Sequence, residues 1–291
     1  MRRATGAGCG AIGLWALLAL LVRSVADIPP FALVALSFAV AAVAGLAWLA
    51  ATGRLHEVRQ RPVAWVHGVG GLFGSNALYF AALSIAPPAE ANLLNYTWPL
   101  MLVVLSATLL GLRLTRWHVA GVALAGLGCA LLLAGGARFT AGAALGYGLA
   151  LSDAVVWAVY SALSRRWFQA VPSGALAGFC AGAAGLAALC HALFEPAASL
   201  DARAWAIVLL MGLGPVGGAF YLWDIGMKYG DPRVLGTLAY ATPVLSTLFL
   251  VAGGFAPLTG FILAAAILVA AGGMIAARGN RRADAVAVPV G

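Results

Sequence analysis

Apolar residues run through this chain in long blocks, broken at short intervals by proline, arginine and small polar groups. A membrane-crossing helix needs about 20 consecutive apolar residues. Ten blocks approach that length, at roughly 10–26, 30–52, 63–85, 90–111, 116–135, 142–163, 171–194, 203–226, 232–254 and 257–277. The connections are short, and many carry proline, as at Pro29-Pro30, Pro62, Pro87-Pro88, Pro172, Pro196, Pro232 and Pro257. Proline suits the first turn of a helix, where its missing N–H has no intrahelical partner to lose. The pattern predicts an all-α integral membrane protein with ten transmembrane helices and no soluble domain.

Composition agrees with that pattern. Hydrophobic residues make up 63% of the 291 positions and charged residues only 9%, whereas a soluble domain carries about a quarter charged residues. The surplus apolar surface has to face lipid. A net charge of +8 would suggest a polyanion partner in a soluble protein. Here the basic residues stand in short clusters between apolar blocks, which reads as membrane topology and excludes a nucleic-acid role.

With a cytoplasmic N-terminus, fourteen Lys and Arg fall inside, and only Arg23, Arg138 and Arg203 fall outside. This positive-inside bias puts both termini in the cytoplasm of an inner-membrane protein. Arg2-Arg3, the apolar stretch Ala11–Val22 and Ser24-Val25-Ala26 imitate a cleavable signal peptide. The segment is expected to remain as the first helix, because the repeat described next requires it.

Shifted by 144 residues, the chain registers on itself. Pro88, Tyr96 and Pro99 fall on Pro232, Tyr240 and Pro243, Leu114-Thr115 on Leu258-Thr259, and Gly128 on Gly272. A shift of 142 lays Trp15 and Arg23 on Trp157 and Arg165. The reading is two five-helix repeats, residues 1–138 and 139–279, followed by a cytoplasmic tail, 280–291. Five is odd, so the second repeat is inverted in the bilayer, an architecture that places substrate between the halves near the midplane.

These features resemble the drug/metabolite transporter superfamily, whose halves are EamA repeats, and within it the amino-acid exporters of the YddG type. Asn95-Tyr96-Thr97-Trp98-Pro99 is similar to their N-Y-x-W-P stretch, Tyr240 to Ser246 to Y-F-T-P-V-L-S, and Trp157-Ala158-Val159-Tyr160 to W-A-A-Y. The resemblance implies export of aromatic and other neutral amino acids, and in some members of dicationic quaternary compounds. Asp224 replaces an expected Asn, and Asp153 stands where the pattern is small or apolar.

Several residues are candidates for the site. Pro99 and Pro243 lie inside their spans, where proline removes a backbone hydrogen bond and bends the helix. Their equivalent positions in the two repeats suit paired hinges. Gly146, Ala150, Asp153, Trp157 and Tyr160 recur on one helical face. That face suits a cavity wall, with Trp15 as the counterpart of Trp157. Tyr79, Tyr96, Tyr221 and Tyr240 are further aromatic candidates. Asn95 loses its i+4 backbone donor to Pro99, so carbonyl, amide and the Tyr96 phenol could together hold an ammonium group. Asp153 could bind that ammonium, carry a coupled proton or pair with a neighbour.

Outside the site, Asn76 and Asn92 suit hydrogen bonds between helices. Asp224 and Lys228, at i and i+4, suit an ion pair at the inner rim. Glu90 suits a helix N-terminal cap, and Arg23 a side chain reaching the outer surface. The four cysteines suit packing. Cys180 and Cys190 would lie roughly 15 Å apart on one helix, beyond disulfide reach. No cofactor, metal or obligate protein partner is expected, only a small-molecule substrate and the bilayer. Phosphate-loop, HExxH and GxSxG motifs are missing, no glycine-rich stretch follows a predicted strand as a Rossmann fingerprint requires, and an enzyme acting on lipid would need more than Asp153 at one depth. Charge rings or repeated filter carbonyls, which a channel would need, do not occur either. Cationic drugs or other small metabolites are the alternative cargo.

Overall fold

The computed structural model describes residues 1–25, 27–86, 88–134, 140–254 and 258–286. The described residues form helices α1 (Arg2–Ala16), α2 (Leu18–Arg23), α3 (Pro30–Ala51), α4 (Pro62–Ile85), α5 (Pro88–Asn95), α6 (Trp98–Thr108) and α7 (Arg116–Ala134) in the first half. In the second half they form α8 (Ala144–Arg166), α9 (Leu176–Phe194), α10 (Ala202–Leu213), α11 (Ala219–Tyr229), α12 (Pro232–Ala239), α13 (Ala241–Ala252) and α14 (Gly260–Val286). Among them, six helical stretches of 21–28 residues are long and apolar enough to cross a membrane, three of which contain an internal break. Three shorter apolar helices accompany them.

Prolines begin these helices where the sequence suggests. Pro30, Pro62, Pro88 and Pro232 are each the first residue of a helix, with φ already fixed near the helical value. Residues 280–286, expected in the tail, instead continue α14 as helix. The repeat boundary expected at residues 138 and 139, Pro87, Pro257 and Arg138 lie outside the described residues, as does the side chain of Arg23. α1 packs along α11 and α12 as a member of the bundle.

The helix pairings have the symmetry of the repeat. α3 lies along α9, α7 along α14, and α6 against α12. α1 packs on α11 while α4 packs on α8. Exchanging the halves turns the last two pairings into each other and the first three into themselves, counting each interrupted helix as one rod. A pseudo-twofold axis produces that set.

The symmetry extends to single atoms. A Cβ on Gly121 would lie 2.6 Å from the Gly272 carbonyl oxygen, and one on Gly128 would lie 3.0 Å from the Ala265 carbonyl oxygen. Shifting by 144 residues carries 121 to 265 and 128 to 272, so the two contacts are mates. Small residues let helices approach backbone to backbone where no hydrophobic drive separates protein from lipid. On the other side of the bundle, a Cβ on Gly226 would come within 2.8 Å of Gly8 Cα. Ala82 and Ala150, in the equivalent places, are fully buried in one cluster.

Candidate functional site

The breaks in α5–α6 and α12–α13 position the site. Tyr96 N–H donates to Asn92 O at 2.9 Å and Thr97 N–H to Leu94 O at 3.1 Å. The chain then restarts as α6 with Pro99 in its first turn. Pro99 has no N–H to offer Asn95 O, so the expected bend is a full interruption, and it turns Asn95, Tyr96 and Trp98 toward one space. In the second repeat α12 ends at Ala239 and α13 begins at Ala241, with Pro243 as its third residue.

That space is a cavity of about 210 Å³, lined by Trp15, Leu18, Ser75, Asn76, Tyr79, Asn95, Tyr96, Trp98, Asp153, Trp157, Phe220 and Thr242. Six of the expected residues are on its wall: Trp15, Tyr79, Asn95, Tyr96, Asp153 and Trp157. Asp153, 3% exposed, accepts a hydrogen bond from Ser75 Oγ on one carboxyl oxygen and from Asn95 Nδ2 on the other. None of the ion pairs among the described residues involves Asp153. The Tyr79 hydroxyl donates to Asn92 Oδ1, between helices as expected of that asparagine. Asn76 differs, donating within its own helix to Leu72 O at 2.7 Å.

Tryptophans form the apolar wall. Trp15 meets Trp157 edge to face with centroids 5.6 Å apart, and Trp98 meets Trp157 at 6.4 Å and 89°. Trp223, behind them, lies 5.1 Å from Trp15 and donates its Nε1–H to Ser161 Oγ at 3.0 Å. Edge-to-face and offset pairs of this kind fix ring orientation beyond what burial alone does.

Three expected residues lie elsewhere. Tyr160 stacks on Trp157 at 5.2 Å and on His67 at 4.7 Å, in a smaller cavity shared with Phe168, Asp224 and Lys228. Tyr221 points away from the cavity toward α3, its hydroxyl 2.6 Å from where a Cβ on Gly45 would be. Its neighbour Phe220 faces the cavity instead. Tyr240 is buried against Val103, Val122, Ala125 and Val244 in the α7–α14 side of the core.

Sequence reasoning missed Leu18, Ser75, Trp98, Phe220 and Thr242, and it put Asn76 outside the site although that residue lines the cavity. Trp98 and Thr242 were within the quoted proline motifs, so the signal existed. Phe220 follows a π-helical turn, Gly214–Gly218, which resets the face of α11. The run Gly214-Pro215 with Gly217-Gly218 was its visible sign.

Beyond Tyr160 the bundle is closed by polar contacts. Lys228 Nζ binds Asp224 Oδ2 at 2.8 Å and Val171 O at 2.7 Å, and Ser173 Oγ donates to Asp224 at 2.6 Å. The expected i, i+4 pair is therefore present, and it is buried. Arg165 donates to Gly230 O at 2.6 Å and Met227 O at 3.2 Å. Arg233 binds Asp231 at 2.7 Å and Arg113 O at 2.8 Å. Burial works against an ionised Asp231, but the bonded Arg233 guanidinium outweighs it and holds the carboxyl below its ordinary range. Glu90 is buried in the first turn of α5, and the four cysteines are free thiols. Among the described residues no three His, Cys, Asp or Glu converge as a metal site.

A lipid-embedded helical bundle with a twofold internal repeat, two helices broken at symmetry-related prolines and a cavity at the break is the construction of a membrane carrier for small solutes. The chain belongs to the EamA-like transporter family, which matches residues 5–134 and 144–278. It is 49% identical over 283 residues to the aromatic amino acid exporter YddG of Ancylobacter novellus, covering 96% of this chain and 98% of that protein. The Escherichia coli K12 protein of the same name is 26% identical, with 97% and 99% covered. A solved crystal structure, 48% identical, superposes with a TM-score of 0.92 over 97% of this chain and 99% of the other.

Proposed function

We propose that the protein exports amino acids, aromatic and other neutral ones, across the inner membrane by alternating access. One observation carries the reading: a carboxylate held by two neutral donors beside a tryptophan-walled cavity. Asp153 and the Asn95 carbonyl suit an ammonium group, and Trp15, Trp98, Trp157 and Phe220 suit an apolar or aromatic side chain. The name carried by the relatives from Ancylobacter novellus and Escherichia coli supports the same cargo.

The topology that serves this function is ten spans in two inverted repeats, with both termini cytoplasmic. The positive-inside bias supports that orientation, and the pseudo-twofold pairing of helices supports the repeat. Trp15, Leu18, Asn76 and Tyr79 are partly exposed, whereas Tyr160, Trp223 and Lys228 are buried. With the termini inside, that pattern supports a state open outward and closed inward by the Asp224–Lys228 and Arg165 contacts.

A cationic drug is the second reading. It is favoured by the absence of Lys or Arg from the cavity wall among the described residues, since tryptophan faces attract quaternary ammonium groups. Flux of a labelled panel in proteoliposomes, with and without a pH gradient, separates the two. Uptake of phenylalanine and tryptophan is expected. Movement of quaternary ammonium compounds with no amino-acid flux would replace the first reading by the second.

A further inference from the structure

An amino acid has two charged ends, and the groups around Asp153 suit only one of them. Among the described residues no Lys or Arg lines the cavity, so from these residues the carboxylate of a bound zwitterion takes neutral donors. Four buried side-chain groups among the described residues have no hydrogen-bond partner: Ser37 Oγ, Glu57 Oε2, Tyr221 Oη and Thr242 Oγ1. Of these four residues, Thr242 alone is on the cavity wall. It is 7% exposed.

Threonines on the same two helices behave differently. Thr237 Oγ1 donates to Arg233 O at 2.9 Å, and Thr247 Oγ1 to Pro243 O at 2.8 Å, each bonding back four residues along its helix. Thr242 makes no such bond to Leu238, and a buried hydroxyl left unpaired is unfavourable. Thr242 is also the second residue of α13, a twelve-residue helix whose first turn no side chain caps. The positive end of the helix dipole and the free hydroxyl therefore coincide, as at the broken helices of carriers that hold anionic groups.

The repeat supplies an independent argument. Subtracting 144 from 242 gives 98, so Trp98 holds the equivalent place in the first half. A zwitterion with an aromatic side chain is not symmetric about the axis. The two halves must differ where they touch it, and here one offers an indole and the other a hydroxyl.

We propose that Thr242 Oγ1–H, at the start of α13, donates to the carboxylate of the bound amino acid and so separates amino acids from amines with the same side chain. This assignment rests on the amino-acid reading above. The test is binding of L-phenylalanine and of 2-phenylethylamine, which keeps ring and ammonium but lacks the carboxylate, to the purified full-length protein. Thr242→Val keeps shape and removes the hydroxyl, Thr242→Ala is a second variant without it, and Thr242→Ser restores it. Loss of a hydrogen bond to a charged group should weaken phenylalanine roughly tenfold or more in the Val and Ala variants. Phenylethylamine should be unchanged, which also reports an intact cavity, and the Ser variant should recover phenylalanine binding. Equal weakening of both ligands, or no change in either, overturns the assignment alone. A wild-type protein that binds phenylethylamine but not phenylalanine overturns the amino-acid reading together with it.

Discussion

Trp15 and Trp157 touch edge to face, with ring centroids 5.6 Å apart, and they are each other's counterparts in the two repeats. A residue and its symmetry mate can meet only beside the axis that relates them. The tryptophan wall therefore lies on the pseudo-twofold axis, where the two halves move least relative to each other. A substrate held there is reachable from either side when one end of the bundle opens and the other closes.

That placement sets the first expectation. Trp157→Phe retains an aromatic face of smaller area, and transport of tryptophan and phenylalanine should fall severalfold with the protein intact. Trp157→Ala removes the face and opens a core void. Flux of aromatic substrates should be lost, and the thermal midpoint should drop, since removing a large buried side chain costs about 3–5 kcal/mol. Unchanged flux in both variants would take Trp157 out of the site.

Asp153 separates two mechanisms. Its donors, Ser75 and Asn95, are neutral, and among the described residues it has no cationic partner, as an ammonium ligand should be. Asp153→Asn is expected to weaken apparent affinity and to lower both gradient-driven flux and exchange of labelled for unlabelled substrate. Loss of gradient-driven flux with exchange preserved would mark it as a proton carrier instead, because an amide can accept a hydrogen bond but cannot release a proton.

Pro99 and Pro243 are equivalent interruptions at opposite depths of the inverted repeat. Replacing either by alanine returns a backbone donor, to Asn95 O in one case and Ala239 O in the other, and favours a continuous helix. Both variants should slow transport while remaining folded. Accessibility labelling of cavity cysteines should shift in opposite directions for the two. A bias of about 1.4 kcal/mol changes the inward-to-outward ratio tenfold, within reach of that measurement. Shifts in the same direction would leave the breaks as architecture.

The Asp224–Lys228 pair should behave as a buried ion pair. Lys228→Met strands a buried carboxylate with Ser173 as its remaining side-chain donor, and stability is expected to fall by about 3–5 kcal/mol. Converting Asp224 to Asn in that background should recover much of the loss in a thermal unfolding series. Equal stability of the single and double variants would show that the two charges do not act on each other.

Topology can be checked in intact cells carrying a cysteine-free background. Cysteine at Ser199, between α9 and α10, should react with an impermeant thiol reagent added outside. Cysteine at His56, between α3 and α4, should stay protected until the membrane is opened. The reverse pattern would invert the assigned orientation.

The sequence by itself determined the apolar helical blocks, their approximate ends, the places where two prolines disturb a helix, and the repeat. These follow from local causes: apolar length against bilayer thickness, the missing N–H of proline, and two halves that align on each other. It also placed Trp15, Asn95, Tyr96, Asp153 and Trp157 at the centre, because breaks and intramembrane polar groups are costly wherever they are not used. Tertiary structure decided which helix face meets the cavity. Tyr221 and Phe220 are neighbours about 100° apart on α11, and the π turn at Gly214–Gly218 together with the α3 contact at Gly45 turns the tyrosine away and the phenylalanine in. Ser75 became a partner of Asp153 only when α4 packed on α8, and Tyr240 went to the α7–α14 core because Gly126 leaves room for its ring. Composition and periodicity carry information about one helix at a time. The angle at which two helices settle against each other belongs to both, and it is set by side-chain volumes that lie far apart along the chain.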